Sequence, residues 1–139
     1  MSVLTRRGLW SAGLLVAGMF AGAGIDRGVF AQQSGITRTE LNRTDVPATN
    51  YEAVMGIAEI APGASSGRHF HNGVEIGYVL DGTVAVERQD GSVVTLTQGQ
   101  AFRNPFTEVH NARNPGTTPV KILAVYIVEK GKPLANPAR

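Results

Sequence analysis

The residues of this chain best suited to chemistry stand close together. His69 and His71 are one residue apart, and Glu75 follows four positions after His71. Side chains on an extended strand alternate faces, so residues i and i+2 project from one side. His69 and His71 can therefore grip one metal ion. Asn72-Gly73 comes directly after them, a dipeptide favoured in tight turns. A turn there is expected to fold the next strand back and bring Glu75 beside the two imidazoles. The third histidine, His110, lies in a separate run. Three imidazoles and a carboxylate suit a borderline cation such as iron, zinc, nickel or copper, and manganese is compatible.

The residues that frame these groups extend the pattern. The first run is Gly63-x5-His69-x-His71-x3-Glu75-x6-Gly82, and it resembles the first cupin motif at every fixed position. The second is Gly99-x5-Pro105-x-Thr107-x2-His110-x3-Asn114, and it resembles the second cupin motif with one departure. Thr107 stands where that motif usually has glycine, which bears on the loop shape near His110. The resemblance covers roughly residues 50 to 130, and all three histidines of the chain fall on motif positions. It implies an all-β fold, a single small antiparallel β-barrel or jelly roll, with one divalent metal ion inside. His69, His71, Glu75 and His110 are the ligands it implies. The metals it implies are iron, manganese, nickel or zinc, with iron and manganese favoured.

Four protein ligands on a six-coordinate metal leave two positions open, and an open position can polarise a substrate oxygen, bind dioxygen or acidify water. The resemblance extends to the flavonol and diketone dioxygenases of the superfamily. It therefore implies a mononuclear metal-dependent oxidoreductase of dioxygenase type, acting on a small organic molecule. The alternatives are a non-redox lyase, decarboxylase or isomerase, and a non-catalytic periplasmic protein that binds a small ligand or a metal. One barrel hosts many chemistries, so fold alone does not choose among them.

Other residues are placed around the ligands. Glu108, two positions from His110, is the candidate catalytic acid or base, or the acceptor for a ligand imidazole. Arg68 and Tyr78 are expected to face outward by strand alternation. Phe102, Asn104, Phe106 and Tyr126 are candidates for the pocket mouth, with core packing as the competing role of each. The presumed inner face is poor in arginine and lysine, which disfavours a strongly anionic substrate.

Composition narrows the remaining classes. The 139 residues suit one domain, and the absence of cysteine excludes disulfides, thiolate metal sites and thiol nucleophiles. The net charge of +2 resides in residues 1–31, where Arg6, Arg7 and Arg27 face Asp26 alone. The rest of the chain is neutral and lacks a basic stripe, which excludes a nucleic-acid partner.

Residues 1–31 are read as a signal peptide. Arg6-Arg7 form its positive end, Gly8 to Ile25 its uncharged apolar run, and Val29-Phe30-Ala31 its cleavage site. Thr5-Arg6-Arg7-Gly8-Leu9 resembles a twin-arginine signal. A periplasmic or secreted location is expected, with no stable membrane insertion after processing. The exposed edges of a small barrel make a homodimer the expected assembly.

The elements that must position the site read as strands. An extended lead-in over 32–49 holds one edge strand around Ile36 to Leu41. The barrel, residues 50–130, starts with Tyr51 to Ile60. Glu75 to Leu80, Thr83 to Arg88, Ser92 to Thr97, Ala101 to Asn104, Val109 to Arg113 and Val120 to Glu129 follow. Asp81-Gly82 and Asp90-Gly91 are read as hairpin turns. Residues 131–139, with two prolines, are expected to form a loose tail.

Overall fold

A computed structural model describes residues 34–139. The signal-peptide reading falls on residues 1–31 and lies outside the described residues. Ten strands and no helix are present among those described, so none of them could supply a membrane-spanning helix. The strands are β1 (Ile36–Asp45), β2 (Tyr51–Ile60), β3 (His69–Phe70), β4 (Gly73–Asp81) and β5 (Thr83–Glu87). They continue with β6 (Val93–Thr97), β7 (Ala101–Asn104), β8 (Asn111–Arg113), β9 (Val120–Glu129) and β10 (Asn136–Pro137).

The main sheet has the order β1-β2-β9-β4-β7. A second sheet has the order β6-β5-β8, and β10 pairs with β3 alone. Every pairing is antiparallel. This is the all-β architecture expected of the motifs. Alternation along β9 explains where the core lies. Val120, Ile122, Ala124, Tyr126 and Val128 are buried, and the residues between them are more open. Val54 and Ile60 of β2, Val79 of β4, Val84 and Val86 of β5 and Leu96 of β6 complete the core. Each valine, leucine or isoleucine buried this fully contributes on the order of 1.5–3 kcal/mol.

The inner face of the main sheet is laid out in rows across the strands. Val54, Tyr126, Glu75 and Asn104 form one such row, in register from β2 through β9 and β4 to β7. The next row is Gly56, Ala124, Gly77 and Phe102. Gly77 is required there, because a Cβ would collide with the Phe102 ring that lies over it.

Several local expectations are corrected. Asn72-Gly73 does not make a hairpin: β3 pairs with β10, and β4 starts at Gly73 between β9 and β7. Asp81-Gly82 is not a hairpin either, since β4 and β5 belong to different sheets. Gly82 instead takes φ +82 and bends the chain from one sheet into the other. Asp90-Gly91 does sit in the loop that joins the paired strands β5 and β6. The edge strand expected near Ile36–Leu41 extends to Asp45 and is paired along its length with β2, through one irregularity between Glu40 and Asn42.

The tail is not loose. Asn136 and Pro137 pair with Phe70 and His69, the Ala138 amide donates to the Arg68 carbonyl, and Leu134 packs against the core. Pro137 suits this short edge pairing, where few amide donors are needed.

Candidate metal centre

His69 and His110 come from distant parts of the chain and meet as a backbone pair. The His69 amide donates to the His110 carbonyl at 3.0 Å, and the His110 amide donates to the His69 carbonyl at 2.9 Å. His71, two residues on, projects to the same side as His69. Ring centroids are 4.3 Å apart for His69 and His110, 5.0 Å for His69 and His71, and 5.1 Å for His71 and His110. All three rings are buried, and one nitrogen from each lies within 4.8 Å of the other two.

The orientation of each ring is fixed from behind by a main-chain oxygen. The Nδ1 atoms of His69, His71 and His110 lie 2.9, 2.5 and 2.9 Å from the carbonyls of Gly67, Leu134 and Glu108. A carbonyl can only accept, so each Nδ1 carries the proton and each neutral ring is left with a bare Nε2. The buried Nε2 atoms of His71 and His110 have no hydrogen-bond partner. Glu75 Oε2 stands 3.2 Å from both of them. Two lone-pair nitrogens facing one carboxylate oxygen repel unless something positive lies between. A proton can serve one nitrogen, whereas a single cation serves both and the carboxylate together. Ligand–ligand separations of about 3 Å are what metal–ligand distances of about 2.1 Å produce at right angles. The donor set therefore fits a divalent metal ion.

Glu75 is held in turn by Asn104, whose Nδ2 donates to Oε2 at 2.6 Å. Burial alone would raise the Glu75 carboxyl. Where a proton on an imidazole takes the cation's place, hydrogen bonds from His110 and His71 outweigh that effect and hold it well below the usual carboxylate range. Burial pushes the His69 imidazole down to about 4, with His110 adding to the effect, so His69 is neutral at physiological pH. Burial would also lower His110, but Glu75 more than offsets this and raises it. Tyr126 packs against His71 with ring centroids 4.9 Å apart, and burial followed by the Glu75 charge keeps its hydroxyl protonated.

A cavity of about 30 Å³ opens beside the cluster, lined in part by His69, His110, Glu75, Asn104, Tyr126 and Arg38. At about 10–15 Å³ per water, it has room for a ligand group of about two waters in size.

The sequence-predicted residues sort as follows. His69, His71 and His110 come together, with Glu75 against two of them. Glu108 reaches His110 with its main-chain oxygen rather than its carboxylate. Asn104, Phe102 and Tyr126 line the cavity, but Phe106 is exposed in a different hollow with Val46 and Ile127. Arg68 and Tyr78 are exposed, as alternation required. Thr107 takes φ +56, so the loop keeps the left-handed shape that glycine would adopt freely. Arg38 is the charged cavity residue that the motifs did not reach. Its signal was its place two residues after Ile36 in β1, which puts both on the inner face.

The comparisons agree with this architecture. The cupin domain model matches residues 56–126. No curated protein matches the sequence as a relative. An RmlC-like cupin from Shewanella frigidimarina is similar in structure, with a TM-score of 0.58 and 24% identity, over 71% of this chain and 81% of its own. A conserved protein with a double-stranded β-helix domain from Klebsiella pneumoniae gives a TM-score of 0.61 and 23% identity, over 81% of this chain and 95% of its own. The polyketide cyclase RemF from Streptomyces resistomycificus gives 0.61 and 23%, over 76% and 72%. At these identities the three share a fold with this chain. The family match spans more than half of the sequence, and the chain belongs to the cupin domain family.

Proposed function

We propose that this protein is a mononuclear metal-dependent oxidoreductase of dioxygenase type that acts on a small organic molecule. One observation carries the metal part: three imidazoles, each with Nδ1 near a carbonyl, bring one nitrogen each to within 4.8 Å of the other two, and the Nε2 atoms of His71 and His110 are buried without a partner. His69, His71, His110 and Glu75 would hold the ion, with iron or manganese as the metal of choice. The ion would supply electrophilic activation of dioxygen or of a substrate oxygen. The chain's own part is to orient the rings from the main chain, to fix the Glu75 carboxylate through Asn104, and to keep the site largely dry. Oxygen uptake tests the redox part. The iron- or manganese-loaded protein is expected to consume oxygen with members of a panel of enols and catechols, and no uptake with any of them would count against it.

A second reading is favoured by Tyr126. Its buried hydroxyl stays protonated beside Glu75 and the cavity, where it can donate a proton or a hydrogen bond. That suits a non-redox lyase, decarboxylase or isomerase, and the similarly folded RemF bears the name of a polyketide cyclase. Turnover with zinc and without oxygen would select this reading.

We carry two further expectations as parts of the same proposal. Export through the residue 1–31 leader is tested by fractionating the host and sequencing the mature N-terminus, expected at Gln32. Pairing with a second copy is supported by the outer face of the main sheet, where Met55, Ile76, Tyr78 and Ile127 are exposed. Ala53, Ile57, Val74 and Val125 between them are uncharged, with Arg103 opposite Ile76 and Glu129 beyond Ile127 at the margin, so the centre of the face can match itself. Sedimentation is expected to give a dimer, and Met55→Lys with Ile76→Lys a monomer.

A further inference from the structure

One cation enters the cavity beside the histidines, and it comes from the strand that the motifs leave out. Arg38 stands in β1 opposite Ala58 of β2, two residues from the buried Ile36. That position puts it on the inner face of the sheet. It is the only lysine or arginine among the residues that line the cavity. Small neighbours give it room: Arg38, Gly56, Ala58, Ala124 and Tyr126 enclose a tight recess next to the cavity.

Its guanidinium has no acidic partner. The ion pairs of the described residues use Arg43, Arg113, Lys121, Lys130 and the site histidines, and none of them uses Arg38. Arg43, five positions on along the same strand, holds both Glu40 and Glu52. The contrast is chemical as well as positional. A guanidinium is always charged and presents a planar fork of donors that matches a carboxylate. Placed at one side of the cavity and in no ion pair, it is set to take an anion from solution.

We propose that Arg38 anchors a small organic monocarboxylate in this cavity, with the other end of the ligand directed at the three histidines. The anchor rests on the cavity and on Arg38, and only the fate of the far end rests on the metal reading above. The space of about 30 Å³, room for about two waters, restricts the ligand to the smallest monocarboxylates, such as formate or acetate. A single guanidinium in a cavity that the Glu75 carboxylate also lines selects one negative charge and disfavours two. On this proposal the sequence expectation of an inner face poor in cations narrows: it still weighs against polyanions, and a single carboxylate is admitted.

Acetate and its neutral isostere acetamide are the probes, titrated calorimetrically into the zinc-loaded protein after its zinc stoichiometry has been measured. Wild type is expected to bind acetate at least tenfold more tightly than acetamide. Arg38→Gln is expected to lose at least tenfold in acetate affinity, about 1.4 kcal/mol, with acetamide unchanged, while Arg38→Lys retains part of the preference. Acetate affinity that is the same in wild type and Arg38→Gln overturns the anchor, because the acetate would then be held by the metal alone. If Arg38→Gln does not fold, the wild-type ratio and Arg38→Lys decide: no acetate preference, or full affinity in Arg38→Lys, overturns it. If no zinc is retained, the metal reading fails, and the same titration of the metal-free chain still decides on the anchor.

Discussion

His69 and His110, separated by forty residues of chain, are bonded to each other through both of their backbone amides, and their rings lie 4.3 Å apart. The two imidazoles are therefore positioned by a rigid antiparallel bridge rather than by a turn within one hairpin. This places the site at the junction of the two sheets, with β3 and the tail on one side and the loop into β8 on the other.

Asn104 would act on a bound metal through Glu75. Its amide donates to Glu75 Oε2 at 2.6 Å, and the same oxygen meets the two orphaned imidazole nitrogens. Asn104→Ala leaves that carboxylate free to turn. Zinc affinity is expected to fall about 10–100-fold, the usual effect of removing such a supporting partner. Glu75→Gln is expected to fall further, since it removes a charge as well as a ligand oxygen. Competition with a chromogenic chelator measures both.

The tail fixes His71. The Leu134 carbonyl accepts from His71 Nδ1, and β10 holds that segment against β3. A chain ending at Gly131 loses both, and His71 is free to rotate or change tautomer. Its zinc affinity is expected to drop at least tenfold with the barrel still folded, as read by circular dichroism and metal titration. Unchanged affinity would mean that the carbonyl has no part in orienting the ring.

Thr107 carries backbone strain. Its φ of +56 belongs to the left-handed region, which a β-branched residue enters only at a cost, and its amide donates to the His71 carbonyl at 3.2 Å. Thr107→Gly relieves the strain but loosens the unfolded chain, so a net gain of about 0.5–1 kcal/mol is expected. A thermal melt should show a rise of a few degrees, with metal stoichiometry unchanged.

The metal-free protein should weaken in mild acid. The folded His69 imidazole, pushed down to about 4, refuses a proton that the unfolded chain takes near pH 6.5. Its contribution is complete above pH 6.5 and is lost as pH falls towards 4, by up to about 3 kcal/mol. Glu75, held low by His110 and His71 against its own burial, adds to the loss below its ordinary value of 4.5. His110 runs the other way. Burial would lower it but Glu75 raises it, so its contribution is present below its ordinary value of 6.5 and is lost as pH climbs through the raised one. Urea midpoints should therefore fall between pH 6.5 and 4.5, and His69→Gln should flatten that slope.

Much of this was legible in the sequence, for physical reasons that differ from residue to residue. β2 and β9 carry apolar runs and β7 lies between Gly99 and Pro105, and the ends of all three fall where those signals placed them. The histidines were legible because i, i+2 spacing on a strand dictates a shared side. What escaped depends on pairing between distant segments. Asn72-Gly73 has the composition of a hairpin turn, yet β4 finds better partners in β9 and β7 and lines up Glu75 with Tyr126 and Asn104. Asp81-Gly82 reads the same locally as Asp90-Gly91, and only the sheet that receives the next strand tells them apart. The Leu134 carbonyl and the Arg38 guanidinium could not be placed at all, because nothing local reveals that the two ends of the described chain close over the site.

The central claim is that one divalent ion sits among His69, His71, His110 and Glu75. Calorimetric titration of the metal-free protein with zinc, manganese and ferrous iron tests it most directly, alongside His71→Ala combined with His110→Ala. The account predicts one ion bound per chain in the wild type and a loss of at least a hundredfold in affinity in the double variant. No stoichiometric binding of any of the three ions, or binding that survives the double substitution, would contradict it.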